Sequence, residues 1–326
     1  MNEILKKLVF ATAVSGREDE VRKVIEKEIA PYVDEIKTDA LGNLTAHKKG
    51  NGKRVVFCAH MDNAGFFVTF VGSDGGIRVS PVGNVNLLSC AYSDVVSENG
   101  VKGILVSEKS DEVPKGENVY IDIGAKDAKT AEKKVNVGDF FVPAPKFTKL
   151  LGTRLTASSF DGKAGCAALI ETVKELKNTE NDLYFVFTTQ QEVYSRGART
   201  VAYAIKPDVI ISVDTTTAKD KTSPSKSNIS VGGGVGIKIK SQGFIASPKL
   251  VEVMRKLADE SKIKYQNEVL SAGGESDASS MQIGADGALA TAISIPCANL
   301  HTGVEIIDTD DYKNAVKLLI KAAEEI

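Results

Sequence analysis

Two hydrophobic rhythms alternate along the chain. Leu183-Tyr-Phe-Val-Phe-Thr-Thr189 is a near-continuous apolar run that ends in Gln190, Gln191 and Glu192. Such a run is the pattern of a strand buried on both faces of an α/β sheet. Arg54-Val-Val-Phe-Cys-Ala59 is a second run, with His60-Met61-Asp62 at its end. Asp208-Val-Ile-Ile-Ser-Val213 leads into Asp214, and a strand over 288–295 is followed by Pro296 and then His301. Between the runs the period lengthens to that of helices. Ser15-Gly-Arg-Glu18 has capping-box spacing, and Val21, Val24, Ile25 and Ile29 follow at helical intervals until Pro31. Further helices are expected over 162–176, over 198–205 ahead of Pro207, and over 248–261. Asp308 or Thr309 caps a last one, whose Val316, Leu318, Leu319 and Ala322 can pack on a sheet. Asp39 to Leu44 reads as strand, Gly-Asn turn, strand, and 228–240 as a Gly-rich strand pair.

From about Ala64 to Thr156 the texture changes. Short strands such as Phe66-Phe-Val-Thr-Phe-Val71, Val101-Lys-Gly-Ile-Leu-Val106 and Val119-Tyr-Ile-Asp-Ile123 are separated by Gly, Asp and Asn turns. Only 126–134 looks helical. Many short strands with little helix suggest a small barrel or sandwich. The expected organisation is a three-layer α/β/α domain over 1–64 and 157–326 with a mostly parallel central sheet. An inserted all-β, barrel-like domain covers 65–156.

Length and composition narrow the function. A chain of 326 residues is long enough for two domains. Its 41 basic and 43 acidic residues give a net charge of −2, so no basic field points to nucleic acid or an anionic membrane surface. No apolar run is long enough to span a bilayer, and the N-terminus lacks a signal-peptide pattern. Cys58, Cys90, Cys166 and Cys297 lie far apart in or beside apolar segments, which suits core thiols of a reduced, cytoplasmic protein.

Five metal-capable residues lie just beyond elements of the α/β part: His60, Asp161, Glu192, Asp214 and His301. Ligands of open α/β sheets bind beyond the carboxyl ends of the strands. Taken singly, each residue has an ordinary reading: a surface histidine, a helix cap or a turn acid. As a set, two imidazoles and three carboxylates suit a pair of divalent ions with one carboxylate bridging. Asp161, between the two halves of the set, is the expected bridge. Asp62 is placed to accept the other N–H of His60 and fix its tautomer. His47, in a Lys-rich segment, reads as solvated.

Six segments carry a resemblance, in order: Ala59-His-Met-Asp62, Asp161-Gly-Lys-Ala-Gly-Cys166, Gln191-Glu-Val-Tyr-Ser-Arg-Gly-Ala198, Val213-Asp214, Gly273-Gly-Glu-Ser-Asp-Ala278 and Ile295-Pro-Cys-Ala-Asn-Leu-His301. Together they resemble the M42 family of dinuclear metallo-aminopeptidases. The likeness covers nearly the whole chain, including Asp39 to Leu44 and parts of the insert. It implies a hydrolase that removes N-terminal residues from short peptides with two divalent ions, zinc first and cobalt or manganese as alternatives. It also implies a large homo-oligomer, commonly a dodecamer. The resemblance places the general base at 191 and a metal ligand at 192.

The chain departs from that pattern at the base. The family has glutamate where this chain has Gln191, and an amide cannot take a proton near neutral pH. Tyr194 stands where the family usually has glycine and Asn63 where it usually has glutamate; the insert lacks an expected histidine near 105–111. The three carboxylate ligands fall one charge short of neutralising two divalent ions, a gap that a glutamate at 191 would close. What is missing is delivery of a proton to the leaving amine. Three readings follow: a slow aminopeptidase or one with another proton carrier, Glu275 being a candidate; a catalytically silent metal-binding homologue acting as a peptide-binding or assembly subunit; and a different hydrolase on the same site.

Overall fold

A twelve-stranded sheet and a closed six-stranded barrel make up the β-structure of the computed structural model. It describes the chain except for residues 110, 111, 178, 222–226, 272, 274 and 275. The centre of the sheet is built from the apolar runs. Asp182–Thr188, Arg54–His60, Val209–Thr217 and Leu289–Ala298 lie side by side and run parallel. Their residues are buried almost without a break, as strands covered on both faces must be. Antiparallel strands flank this parallel core: Leu44–Lys48 and Glu35–Thr38 on one side, Glu305–Asp308, Arg154–Ala157 and Phe147–Lys149 on the other. The sheet as a whole is therefore mixed.

Helices cover both faces. Lys163–Glu175, Thr309–Glu325 and the N-terminal helices Asn2–Phe10 and Asp19–Ile29 pack together on one face, while Arg196–Ile205 and Asp277–Gln282 pack against each other on the opposite one. Lys163–Glu175 is buried along nearly its whole length, which its small side chains allow. Gly165 is one reason: a Cβ there would come within 2.4 Å of the Val213 carbonyl oxygen.

The barrel is closed by Gly65–Val71, Ile77–Val82, Val119–Asp122, Lys102–Ser107, Asp94–Ser97 and Phe140–Pro143. Phe66, Leu105, Ile121 and Phe141 fill a core separate from that of the sheet. The barrel strands end at Pro143, and Phe147–Lys149 already pairs within the large sheet, so the chain returns to that sheet before residue 156.

Several local expectations change. The Val209–Thr217 strand continues four residues beyond Val213, because Asp214 to Thr217 pair with Ser294 to Cys297. Of the strand pair expected over 228–240, only Val235–Ser241 is a strand. Gly232 and Gly234 have φ of +83° and +101°, a left-handed path that cannot continue a strand, and both donate their N–H to the Asp311 carboxylate. The helix expected over 126–134 is one turn, Ala128–Ala131, capped by Asp127. His47 is not solvated: it lies in a strand, stacked on Tyr184 at 4.2 Å, with Nε2 2.6 Å from Asp182.

Candidate metal centre

Register brings the ligand candidates together. Ser212 pairs with Cys58, so two residues further on His60 and Asp214 emerge side by side. His60 Nε2 is 3.2 Å from Asp214 Oδ1 and 3.6 Å from Asp161 Oδ1. The other oxygen of Asp161, Oδ2, is 3.0 Å from His301 Nε2. Ligand atoms of His60, Asp161 and Asp214 lie within 4.8 Å of one another, and so do those of Asp161, Glu192 and His301. Asp161 thus belongs to two groups and turns one oxygen toward each.

The helix that follows Asp161 explains how it sits there. Gly162 has a φ of +68°, and a Cβ on it would lie 2.5 Å from the His60 carbonyl oxygen and 2.7 Å from the imidazole ring. Glycine is therefore required for the Asp161 loop to pass this close to His60. Asp161 does not cap the helix. Its Oδ1 accepts a hydrogen bond from the Thr215 hydroxyl at 2.8 Å.

The ring of His60 is oriented by a carbonyl. Its Nδ1 lies 3.1 Å from the Asp62 backbone oxygen, which can only accept, so Nδ1 carries a proton and Nε2 is the nitrogen turned to Asp161 and Asp214. Burial alone would lower the imidazole, but these carboxylates together raise it well above its ordinary range, so Nε2 also holds a proton until a cation takes that place. The Asp62 carboxylate is 3.5 Å from Nδ1 and has further work. It accepts the N–H of Gln191 at 3.0 Å, the N–H of Glu192 at 3.1 Å and the Ser15 hydroxyl at 2.7 Å. Glu18 accepts the N–H of Gln190 at 3.1 Å. Ser15 and Glu18, whose spacing suggested a capping box, hold the turn that carries Gln191 and Glu192, and Glu18 makes no side-chain cap on its helix. That turn is strained: Gln190, Tyr194 and Ser195 all have positive φ. Asn43, from the turn after Asp39, adds a further tie at 2.9 Å to the N–H of Thr189.

Glu192 reaches the centre from this turn. Its Oε2 accepts the N–H of Asn84, a barrel-side loop residue, at 3.2 Å. Its Oε1 is buried with no hydrogen-bond partner among the described residues. A buried carboxylate oxygen left without a donor is costly, and a cation is the natural partner for it.

Acidic groups outnumber cations around the centre. Asp62, Asp161, Asp214, Asp277 and Glu305 are buried, and Glu192 is half-buried, against two imidazoles and the buried Lys163. Burial, and after it the charge of Asp161, pushes Glu192 and Glu305 up to about 8. Burial also raises Asp277 to about 6. Burial would lower His301, but the hydrogen bond to Asp161 and the charges of Asp161, Glu192 and Glu305 together raise it to about 9. Groups in this condition hold protons in place of missing positive charge, the state that bound divalent cations relieve. The donor set, hard carboxylates plus imidazole, suits such an ion.

A cleft of about 1060 Å³ opens on Asp161, Glu192, Asp214 and His301, with Gln191, Tyr194 and Lys240 on its walls. Glu275 lies outside the described residues. Thr215 and Glu305 were not singled out in the sequence, and Ser15 and Asn43 only as parts of a capping box and a turn; the adjacency of Thr215 to Asp214, and of Glu305 to His301 four residues earlier, could have drawn attention to the first two.

A buried carboxylate–imidazole cluster at the carboxyl edge of a parallel α/β core, open to a cleft, could hold divalent ions where a substrate can reach them. Residues 42–318 match the model of the M42 glutamyl aminopeptidase family, and the chain belongs to that family of metal-dependent peptide hydrolases. A provisionally named aminopeptidase of Acetivibrio thermocellus is 42% identical over 327 residues, covering 99% of this chain and 98% of its own. The solved aminopeptidase APDkam598 of Desulfurococcus kamchatkensis is 33% identical, covers 100% of this chain and 94% of its own, and superposes with a TM-score of 0.95. The TET1 peptidase of Pyrococcus horikoshii, described as assembling into a tetrahedron or a large octahedral shell, is 30% identical over 99% of both chains, with a TM-score of 0.88.

Proposed function

We propose that the protein is a dinuclear aminopeptidase of short peptides whose proton-transfer group has been altered. The observation that carries the proposal is Asp161 itself, with Oδ1 toward His60 and Asp214 and Oδ2 toward His301 and, within the same group of ligand atoms, Glu192. His60 and Asp214 would hold one divalent ion, Glu192 and His301 the other, and Asp161 would bridge them. Zinc fits best, with cobalt or manganese as alternatives. When bound, such a pair polarises the scissile carbonyl and supplies an activated water.

The remaining work falls to the chain. The cleft admits the peptide, and the turn held by Asp62 and Glu18 presents residue 191 beside the reacting group. A carboxylate at 191 would accept a proton and pass it to the leaving amine; Gln191 cannot. The lesion is therefore in proton delivery. All five candidate ligands lie within the two groups that could hold an ion, which favours retained but slowed hydrolysis over a structural remnant.

Gln191 also supports a second reading, a catalytically silent metal-binding homologue that binds peptides or joins an assembly. Assays of the metal-loaded protein on a panel of aminoacyl and short-peptide substrates, beside Gln191→Glu, separate the two. Measurable turnover by the unaltered protein supports the enzyme. An inert protein that gains activity as Gln191→Glu supports the silent homologue. The assembly of a related TET1 peptidase into closed shells supports a homo-oligomer for this chain as well.

A further inference from the structure

One buried carboxylate lies behind the proposed centre and belongs to neither group of candidate ligands. Glu305 is only 2% exposed and begins the Glu305–Asp308 strand, paired there with Ala157. From that position its side chain reaches two segments of the site at once. Oε2 accepts the N–H of Phe160 at 2.5 Å and the N–H of Asp161 at 3.0 Å. Oε1 accepts the N–H of His301 at 2.8 Å. The two segments are far apart in sequence, and each is a loop. The loop of His301 is under strain, with φ of +57° at Asn299 and +62° at His301. A backbone in this conformation holds its geometry only where surrounding bonds over-determine it.

We infer that Glu305 is a positioning residue that sets the spacing between Asp161 and His301, and thereby the affinity of the ion subsite these two share with Glu192. This rests on the dinuclear reading above. The other subsite has separate supports. Asp214 stands within a strand paired on its far side with Ser294, and its Oδ1 accepts the N–H of Thr215 at 2.7 Å. His60 ends a strand, and its ring is fixed by the Asp62 carbonyl and enclosed by Gly162. Asp161, which this subsite shares, has its Oδ1 tied on this side by the Thr215 hydroxyl at 2.8 Å, so the His60 side depends on Glu305 less than the His301 side does. Loss of the Glu305 clamp should therefore be felt unequally, with the His301 side loosened more than the His60 side.

Glu305→Gln keeps the volume and replaces one acceptor oxygen with a donor, which must oppose either the His301 N–H or the Phe160 and Asp161 pair. Asp311→Asn is the matched control. Asp311 is another buried carboxylate that accepts two backbone N–H groups, those of Gly232 and Gly234 at 2.6 and 2.7 Å, with no contact to the centre. Each protein is stripped of metal and titrated with Zn²⁺ by calorimetry, and the Co²⁺-loaded form is followed by absorption. The unaltered protein should bind two ions. Glu305→Gln should bind one ion with a clearly smaller loss and the second about 10- to 100-fold more weakly, as loss of an outer support typically does. Its Co²⁺ spectrum should lose one component. Asp311→Asn should lower the melting temperature and leave both ions in place. If Glu305→Gln does not accumulate as folded protein, Glu305→Asp, which is charged but one methylene too short to span both loops, carries the same expectation.

Two full-affinity ions in the Glu305 variants, equal weakening of both ions, or equal metal loss in Asp311→Asn would each overturn the assignment. Fewer than two ions in the unaltered protein would instead overturn the dinuclear reading beneath it.

Discussion

At the scale of single residues the account turns on an amide. Gln191 is tied at its backbone, its N–H bound by Asp62 at 3.0 Å and the N–H of Glu192 bound by the same carboxylate. At the proposed base position it offers an amide in place of a carboxylate. A general acid–base group typically contributes ~10²- to 10⁴-fold to rate, so Gln191→Glu should raise kcat by about that factor. KM should change little, because the added carboxylate acts on proton transfer and not on substrate capture. A rise in kcat/KM that came wholly through KM would contradict this. The ligand candidates were legible because each closes an apolar run or opens a helix. Glu305, Ser15 and Glu18 were not. Glu305 and Glu18 act through backbone N–H groups of distant segments and Ser15 through the Asp62 carboxylate, and no spacing in the sequence reports such distant partners.

At the scale of elements, the strands of the sheet centre could be read because burial on both faces demands apolar residues throughout. Tyr265–Val269 and Glu305–Asp308 escaped notice. Both are short and carry polar residues, Tyr265–Val269 because it is largely uncovered, and Glu305–Asp308 because its two buried acids accept backbone N–H groups of neighbouring segments. The Asp161-Gly162-Lys163 junction is the element-level feature with the sharpest consequence. Gly162→Ala would force a Cβ against the His60 carbonyl and imidazole in a left-handed backbone conformation. The expected cost is about 1–3 kcal/mol of stability, with weakened metal binding through displaced His60. Thermal denaturation of the metal-free protein, followed by metal titration, checks both parts. A variant as stable as the parent, with unaltered metal affinity, would mean the loop can move aside.

At the scale of the molecule, the barrel takes part in the site and does not merely adjoin it. Asn84, from the loop after a barrel strand, donates to Glu192, and a Cβ on neighbouring Gly83 would lie 2.4 Å from the same carboxylate. The barrel itself was legible from its short strands and frequent turns, whereas this contact was not, because it depends on how the two parts dock. The surface carries large apolar side chains, Leu88 and Tyr92 beside the barrel and the almost fully exposed Leu151 in a hairpin of the sheet. Such residues suit burial between copies of the chain. Light scattering of the purified protein should give a mass many times that of one chain; a monodisperse monomer at micromolar concentration would contradict the proposed assembly. Among the described residues no helix is long and apolar enough to cross a membrane.

The central claim is that Asp161 joins two ion subsites, and metal content tests it most directly. Protein stripped with a chelator, re-equilibrated with Zn²⁺ and dialysed should hold two ions per chain by elemental analysis. Asp161→Asn, which replaces one of the two oxygens that face the subsites with a donor, should hold fewer than one. A single ion in the unaltered protein, or two retained by Asp161→Asn, would contradict the account.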